Sequence, residues 1–236
     1  NDALDDIHTD SRAIYLANKF WPGPLTLVAK VKNKSISRSA LSKMNTIAVR
    51  VPSSMIFLNV LSKLKIPLAA PSANRYGKIS PTSANDVYEE LNGKIPIILD
   101  GGHSLIGLES TVIDLTEKKA KLIRHGGINK KEVNSIIPLY DNKEKLKVFI
   151  SPGLSNSHYK PDTSLRINAI RPRNNEAWLA FGAIPKSFRG IALTLSKKKC
   201  LKESAKNLYK MLRYLDKKKC SKIAVQKIPK HGLGIA

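Results

Sequence analysis

The sequence predicts an α/β fold made of two parts joined by a linker. Short apolar runs of strand length alternate with segments of helical periodicity through the first 140 residues. Residues 190–225 then hold a strand, an amphipathic helix and a second strand, which is typical of a β-α-β unit with parallel strands. Apolar residues make up 42% of the 236 residues, which is enough for a packed core. We therefore expect a twisted open sheet with flanking helices, followed by a small Rossmann-like second domain.

The first part alternates predicted strands and helices. Its strands follow in chain order at 25–29, 47–51, 68–70, 95–99, 111–115 and 121–124. Its helices are capped by Thr9, by Thr82 or Ser83 with Asp86 in a capping box, and by Asn129 with Glu132. One further helix covers 55–64, where apolar side chains are expected to face inward at Ile56, Val60, Leu61 and Leu64.

A polar stretch at 141–161 separates the two parts. It contains Ser151-Pro152-Gly153 and little periodicity, so it is interpreted as a linker. Beyond it, strands are predicted at 190–195 and 223–225, on either side of a helix with an apolar stripe from Leu201 to Leu215. The predicted domains are a catalytic domain at 1–138, a linker or lid at 139–165 and a small C-terminal domain at 166–236.

The chain is strongly basic, with 41 Lys and Arg against 18 acidic residues and a formal charge of +23. Such a balance makes polyanions plausible partners, whether a nucleotide, tRNA or another RNA. Lysine outnumbers arginine by 31 to 10, which indicates nonspecific attraction to phosphate more than reading of bases. Two alternatives stay open: a basic RNA-binding module without catalysis, and a lysine excess that is only compositional.

Several classes of protein are disfavoured. Two cysteines are too few for a disulfide framework, so a cytoplasmic location is expected. No run of 18 apolar residues predicts a membrane span, and the acidic, polar first ten residues predict no signal peptide. The five histidines are scattered, so no metal site is predicted, and neither a GxGxxG nor a Walker loop is present.

Candidate ligand-binding residues follow two of the predicted elements. Ser72 and Asn74 form a turn after the strand at 68–70, and ligands of open α/β sheets bind beyond the carboxyl ends of strands. Ser80 and Thr82 precede a helix, whose N-terminus favours phosphate. The first pattern is also typical of a turn that caps itself, and the second is also typical of a simple helix cap without a ligand.

Three further candidates lie beside strands. Ser110 follows a glycine-containing loop and has no clear general base, so we expect it to hydrogen-bond a ligand and not to act as a nucleophile. Arg50 lies within the otherwise apolar predicted strand 47–51, and Arg124 ends the predicted strand 121–124. An arginine in that position is either a solvated surface residue or a clamp for carboxylate or phosphate.

Taken together, the motifs resemble those of the YrdC-type threonylcarbamoyl-AMP synthase family, in its longer two-domain form. The resemblance is carried, in family order, by KFWPGPLTLV at 19–28, TIAVRVP at 46–52, APSAN at 70–74 with SPT at 80–82, GLESTVID at 107–114, IRHGG at 123–127, SPG at 151–153 with HY at 158–159 and Pro161, and the loop at 229–234. It covers nearly the whole chain and predicts a YrdC-like sheet.

The resemblance implies formation of threonylcarbamoyl-AMP and pyrophosphate from L-threonine, bicarbonate and ATP, for threonylcarbamoyladenosine modification of tRNA. It places Arg50, Ser72 and Ser110 on the threonine side. On the ATP side it places Thr46, Asn74, Ser80, Thr82 and Arg124, with Ser157, His158 and Tyr159 in a lid. It implies Mg²⁺ with the ATP, no covalent catalytic residue, a downstream tRNA threonylcarbamoyl transferase complex, and possible binding of tRNA or double-stranded RNA.

The sequence also departs from the family pattern. Family members carry a segment with a Lys-Arg phosphate-binding motif before the first helix, and their second domain continues beyond the loop at 232–234. Asn156 and Ser157 stand where many members have Tyr and Arg. We therefore expect the family's fold truncated at both ends, with part of its site, and a chain that is inactive alone as the alternative.

Overall fold

The computed structural model describes residues 2–41, 45–140 and 159–236 of the chain. These residues form two compact units, and neither is continuous in sequence. The first contains the residues up to Pro71 and those from Glu109 to Tyr140; the second contains Ser72–Leu108 and the residues from Tyr159 to Ile235. In the described ranges no helix is both long and apolar enough to cross a bilayer.

The first unit is built on a five-stranded mixed sheet with the order β2-β1-β3-β4-β5. Its strands are β1 (Leu25–Lys30), β2 (Thr46–Val49), β3 (Thr111–Asp114), β4 (Ala120–Arg124) and β5 (Leu139–Tyr140). β1 is parallel to β3 and antiparallel to β2, while β4 is antiparallel to β3 and parallel to β5. Its helices are α1 (Asp2–Asp5), α2 (Ser11–Phe20), α3 (Met55–Leu64) and α5 (Lys130–Asn134).

The core of this unit lies where α2 packs on the sheet. The α2 residues Ala13 and Leu16 join Leu25, Leu27 and Ile113 of the central strands, all nearly inaccessible to solvent. Asp10 caps α2 by accepting from the backbone N–H groups of its first turn, so the predicted cap at Thr9 is wrong by one residue. The capping box that begins α5 is confirmed.

The second unit is built on a four-stranded parallel sheet with the order β6-β9-β7-β8. Its strands are β6 (Leu165–Ala169), β7 (Glu176–Ala180), β8 (Ala192–Thr194) and β9 (Lys222–Gln226). Two helices belong to it, α4 (Ala84–Leu91) and α6 (Leu201–Asp216). The apolar stripe of α6 packs on β7 and β9 through Tyr209, Leu212 and Leu215, as the helical spacing predicts.

Several local predictions are wrong. Residues 68–70 and 95–99 form no strand, because no described segment pairs with either, and their side chains remain exposed. No residue of α3 is fully buried: of the four side chains expected to face inward, Val60 and Leu61 are half-buried, and Ile56 and Leu64 are exposed. Ser83 caps α4, but the Asp86 carboxylate accepts from the backbone N–H of Thr82 and not from that of Ser83, so the reciprocal capping box does not form. The strands β6 and β7 were not predicted.

Candidate active site

One edge of the first sheet gathers polar residues from four strands. β1 and β3 begin at this edge, while β2 and β4 end there, because β2 and β4 are antiparallel to their neighbours. Arg50 follows the last residue of β2, Ser110 precedes the first residue of β3, and Arg124 is the last residue of β4. Thr26 is the second residue of β1. The topology thus places four hydrogen-bonding side chains at neighbouring strand ends.

Ser110 is the centre of the hydrogen bonds at this edge. Its hydroxyl lies 2.7 Å from the Thr26 hydroxyl and accepts from Nη2 of Arg124 at 3.0 Å. Arg124 also donates from Nε to the Ser110 carbonyl oxygen at 3.1 Å. Ser110 is nearly buried, with 4% of its surface exposed. Its hydroxyl and the Arg124 guanidinium are therefore held in fixed orientations.

The backbone around Ser110 is packed too tightly to shift easily. A Cβ on Gly126 would lie 2.4 Å from the Glu109 carbonyl oxygen and 2.5 Å from the Ser110 carbonyl carbon, so only glycine fits there. The buried Thr111 hydroxyl donates to the Ile128 carbonyl at 2.6 Å and accepts from the Ile128 N–H at 3.0 Å. The segment after β4 is thus fastened to the start of β3.

Arg50 provides the electrostatic character of this edge. It reaches solvent, yet surrounding protein partly desolvates the guanidinium, and this burial followed by the positive charge of Arg124 lowers the pKa of Arg50. No carboxylate in the described part of the chain forms an ion pair with Arg50. Two neighbouring guanidinium groups favour binding of a carboxylate or a phosphate.

Thr46, which was predicted on the ATP side, does not join this group. It is the first residue of β2 and pairs with Lys30, so it lies at the other end of the strand from Arg50. Four residues separate the two positions, a distance of about 13 Å along a strand.

Asn74, predicted on the ATP side, lies in the second unit. Its side-chain amide donates to the carbonyl oxygens of Arg75 at 2.8 Å and Lys78 at 3.2 Å and so shapes its own loop. Its Oδ1 is buried and has no hydrogen-bond partner among the described residues. An unpaired buried acceptor is costly, so this oxygen is suited to a ligand's donor. Ser72, two residues earlier, is exposed.

Ser80 and Thr82 also belong to the second unit, and both are nearly buried. Thr82 donates to the Asp86 carboxylate from its backbone N–H at 2.8 Å and from its hydroxyl at 3.0 Å. Burial alone would raise the pKa of Asp86, but the Thr82 N–H and the charge of Arg213 outweigh it and hold this pKa below its usual value. The Thr82 hydroxyl therefore already has an ionised partner.

Of the three predicted lid residues, Ser157 and His158 lie outside the described residues. Tyr159 adopts a left-handed backbone conformation with φ 58°, and its ring stacks on Tyr209 of α6 at 5.6 Å between ring centres. The next residue, Lys160, donates its N–H to the Gly77 carbonyl at 2.9 Å. The chain is thus anchored to the second unit directly where the described residues resume.

Two residues that the sequence did not single out belong to these arrangements. Thr26 contacts Ser110, and a hydroxyl in the otherwise apolar strand at 25–29 is the signal that could have identified it. Arg213 contacts the segment before α4, and it is the one arginine of the lysine-rich helix α6. The described residues contain no group of three or more metal-ligating side chains.

Known proteins resemble the chain along its whole length. The Sua5–YciO–YrdC family model, described as "Telomere recombination", matches residues 2–126, and a model of the C-terminal domain of threonylcarbamoyl-AMP synthase matches residues 128–236. The threonylcarbamoyl-AMP synthase of Pyrococcus abyssi is 35% identical, over 94% of this chain and 70% of that protein. The chain belongs to the Sua5/YrdC family of threonylcarbamoyl-AMP synthases.

Other members of the Sua5/YrdC family agree with this assignment. The threonylcarbamoyl-AMP synthase of Bacillus subtilis is 33% identical, over 95% of this chain and 70% of that protein. The crystal structure of P. abyssi Sua5 complexed with L-threonine superposes with a TM-score of 0.88 at 32% identity, covering all of this chain and 74% of that one. The predicted α/β fold and family are thereby confirmed. These relatives are transferases of the nucleotidyltransferase type.

Proposed function

We propose that this chain forms threonylcarbamoyl-AMP and pyrophosphate from L-threonine, bicarbonate and ATP. The observation that carries the proposal is the pair of neighbouring guanidinium groups, Arg50 and Arg124, at the sheet edge with the nearly buried Ser110. The relatives' shared name, and the L-threonine in the similar crystal structure, agree with it. The comparisons favour this activity over an RNA-binding module without catalysis.

The proposed threonine side is Arg50, Ser110 and Ser72. None of the described carboxylates pairs with Arg50, so its planar fork is available for two parallel hydrogen bonds to the threonine carboxylate. Such an anion also relieves the repulsion between Arg50 and Arg124, which favours binding at this place over binding at an isolated surface arginine. Ser110 is held rigidly by Thr26 and Arg124 and would present its hydroxyl to the same ligand.

The proposed ATP side combines hydroxyl, amide and cationic groups. Asn74 offers a buried unpaired acceptor, which suits an N–H or O–H donor of the nucleotide. Ser80 and Thr82 precede α4, where backbone N–H groups favour phosphate. The other proposed members are Thr46, Arg124, Ser157, His158 and Tyr159. Among these, Tyr159 stacks its ring on Tyr209 of the second unit.

The chemistry requires orientation and charge neutralisation more than a covalent nucleophile. The threonine amine and bicarbonate condense to a carbamate with loss of water, and a carbamate oxygen then attacks the α-phosphorus of ATP while pyrophosphate leaves. Holding the threonine carboxylate on Arg50 fixes the direction of the amine, and Arg124 neutralises charge near the reacting groups. No residue needs to form a bond to the substrate.

Mg²⁺ is proposed to enter with ATP. This ion binds nucleotides through phosphate oxygens and retains several waters, so it needs no protein cage of carboxylates. The product would be consumed by a tRNA threonylcarbamoyl transferase, which makes the cytoplasm the proposed place of action. The chain's charge of +23 gives it a general attraction to tRNA or double-stranded RNA.

The proposal is tested by incubating the whole chain with ATP, Mg²⁺, bicarbonate and L-threonine. We expect pyrophosphate release that depends on threonine and bicarbonate, together with a new species of the mass of threonylcarbamoyl-AMP. Omitting threonine controls for ATP hydrolysis. Absence of both products at saturating substrates would refute the proposed activity of this chain and leave only its family membership.

A further inference from the structure

A network of buried charges in the second unit centres on Arg213 of α6. Its Nη1 donates to the Ile79 carbonyl at 2.9 Å and to Oε1 of Glu90 at 2.8 Å, and its Nη2 donates to the Asp86 carbonyl at 3.2 Å. Its Nε lies 3.2 Å from Oδ1 of Asp86, which is an ion-pair distance. The side chains of Arg213, Glu90 and Asp86 are 10%, 8% and 15% exposed. Two of the guanidinium nitrogens therefore donate hydrogen bonds inside the unit, while the buried Nε lies at ion-pair distance from Asp86 without a hydrogen bond to any described residue.

The two carboxylates that Arg213 contacts also bind the backbone of the segment that precedes α4. Asp86 accepts from the N–H and hydroxyl of Thr82, and Glu90 accepts from the N–H of Arg75 at 3.0 Å and from its Nε at 3.3 Å. Because Arg213 also bonds the Ile79 carbonyl directly, the backbone is fixed at 75, 79 and 82. These three points bracket the loop that contains Ser80, and they begin one residue after Asn74.

This network joins two regions that separate family models describe. Arg213 lies in the region of the C-terminal domain model, and the segment 74–90 lies in the region of the Sua5–YciO–YrdC model, yet both belong to one compact unit. A buried ion network is costly to desolvate and is therefore weak support for stability alone, so a role in fixing a geometry accounts better for it. A lysine could not replace it, because an ammonium has no planar fork.

We propose that Arg213 is a positioning residue that fixes segment 75–82 in the conformation that binds ATP. This rests on the proposed function, which places Asn74, Ser80 and Thr82 on the ATP side. The C-terminal region would then contribute to nucleotide binding through a side chain that touches no substrate. Of the proposed threonine contacts, Arg50 and Ser110 belong to the first unit, and Ser72 belongs to the second unit but precedes the segment that Arg213 fixes.

The test compares Arg213→Gln and Arg213→Lys with the matched control Arg166→Gln. Arg166 also pairs with a nearly buried carboxylate of the second unit, Glu176. Among the described residues, the hydrogen bonds of its guanidinium stay within 166–176. Hydrogen exchange of the amides of Arg75 and Thr82 measures the segment directly, and calorimetry measures ATP and L-threonine affinity. Arg213→Lys keeps the charge, so the same measurements are made on this variant if Arg213→Gln does not fold.

We expect both Arg213 variants to exchange these two amides faster and to bind ATP on the order of 10-fold or more weaker, with threonine affinity within about two-fold. The Arg166 variant should leave both readings unchanged. Unaltered amide protection, or faster exchange with unchanged ATP affinity, would overturn the positioning role. If the unmodified chain binds no ATP, the proposed function fails instead, and amide exchange alone decides whether Arg213 holds the segment.

Discussion

Arg50→Ala removes the guanidinium that we place on the threonine carboxylate. A hydrogen bond to a charged group contributes roughly 1.5–3 kcal/mol. Because Arg124 remains close by and offsets part of the loss, we expect removal of both Arg50 hydrogen bonds to weaken threonine binding by about 2–3 kcal/mol. At about 1.4 kcal/mol for each factor of ten, this corresponds to a roughly 30- to 150-fold rise in the threonine KM.

The same substitution should hardly change stability. Arg50 reaches solvent and has no ion-pair partner in the described part of the chain, and its pKa is lowered by desolvation and by Arg124. Its removal therefore relieves a repulsion and breaks no ion pair. We expect the free energy of unfolding to stay within about 0.5 kcal/mol of its original value.

The assay is pyrophosphate release, with threonine and ATP titrated separately. Arg38→Ala is the matched control, because Arg38 is an exposed arginine in the connection between β1 and β2, at the other end of that strand pair. We expect the ATP KM of Arg50→Ala to change less than about three-fold and both KM values of the control to stay constant. A threonine KM that is unchanged, or an ATP KM that rises equally, would show that Arg50 has another role.

Three further predictions concern the framework of the site and the second unit. Gly126→Ala should lower the free energy of unfolding by about 1–3 kcal/mol, measured by urea titration, and should lower activity, because the added Cβ would meet the Glu109 carbonyl. An unchanged urea midpoint would contradict the close packing. Ser110→Ala should keep the fold but lower threonine-dependent activity on the order of 10-fold, so full activity would remove Ser110 from the site. Hydrogen bonds from the Arg166 guanidinium and, to a smaller extent, from the Arg173 backbone amide lower the pKa of Glu176 from 4.5 to about 2. This lowered pKa contributes stability that is complete above pH 4.5 and is lost as pH falls toward 2, so urea titrations should show a pH slope there that Glu176→Gln flattens.

The sheet edge of the first unit could largely be predicted from the sequence. The apolar runs that became β1, β3 and β4 are dense enough to specify buried strands, and polar residues at their ends had to lie close together once the strands paired. The segments 68–70 and 95–99 have a similar apolar composition and are not strands. A strand requires a neighbour to accept and donate its backbone hydrogen bonds, and composition does not say whether one is present.

The second unit was harder to predict for two different reasons. β7 is an apolar run that could have been recognised, whereas β6 is mostly exposed, with only Ala169 buried, and depends on pairing with β9. The role of Arg213 rests on contacts with residues more than 120 positions earlier in the chain. Local periodicity contains no information on such contacts, and the spacing of α6 only indicates that position 213 lies beside its apolar stripe.

The distribution of arginine in this lysine-rich chain leads to a last prediction. Arg124, Arg166 and Arg213 each donate from more than one guanidinium nitrogen to partly or fully buried acceptors, which a lysine ammonium cannot do with the same geometry. Arg50 makes no such contacts with the residues that the structure describes, so its planar fork is explained if the ligand supplies the acceptors. Arg50→Lys keeps the charge but not the planar fork. It should therefore reverse only part of the rise in threonine KM that Arg50→Ala causes. Full recovery by lysine would mean that charge alone is recognised and that the two parallel hydrogen bonds to the carboxylate do not form.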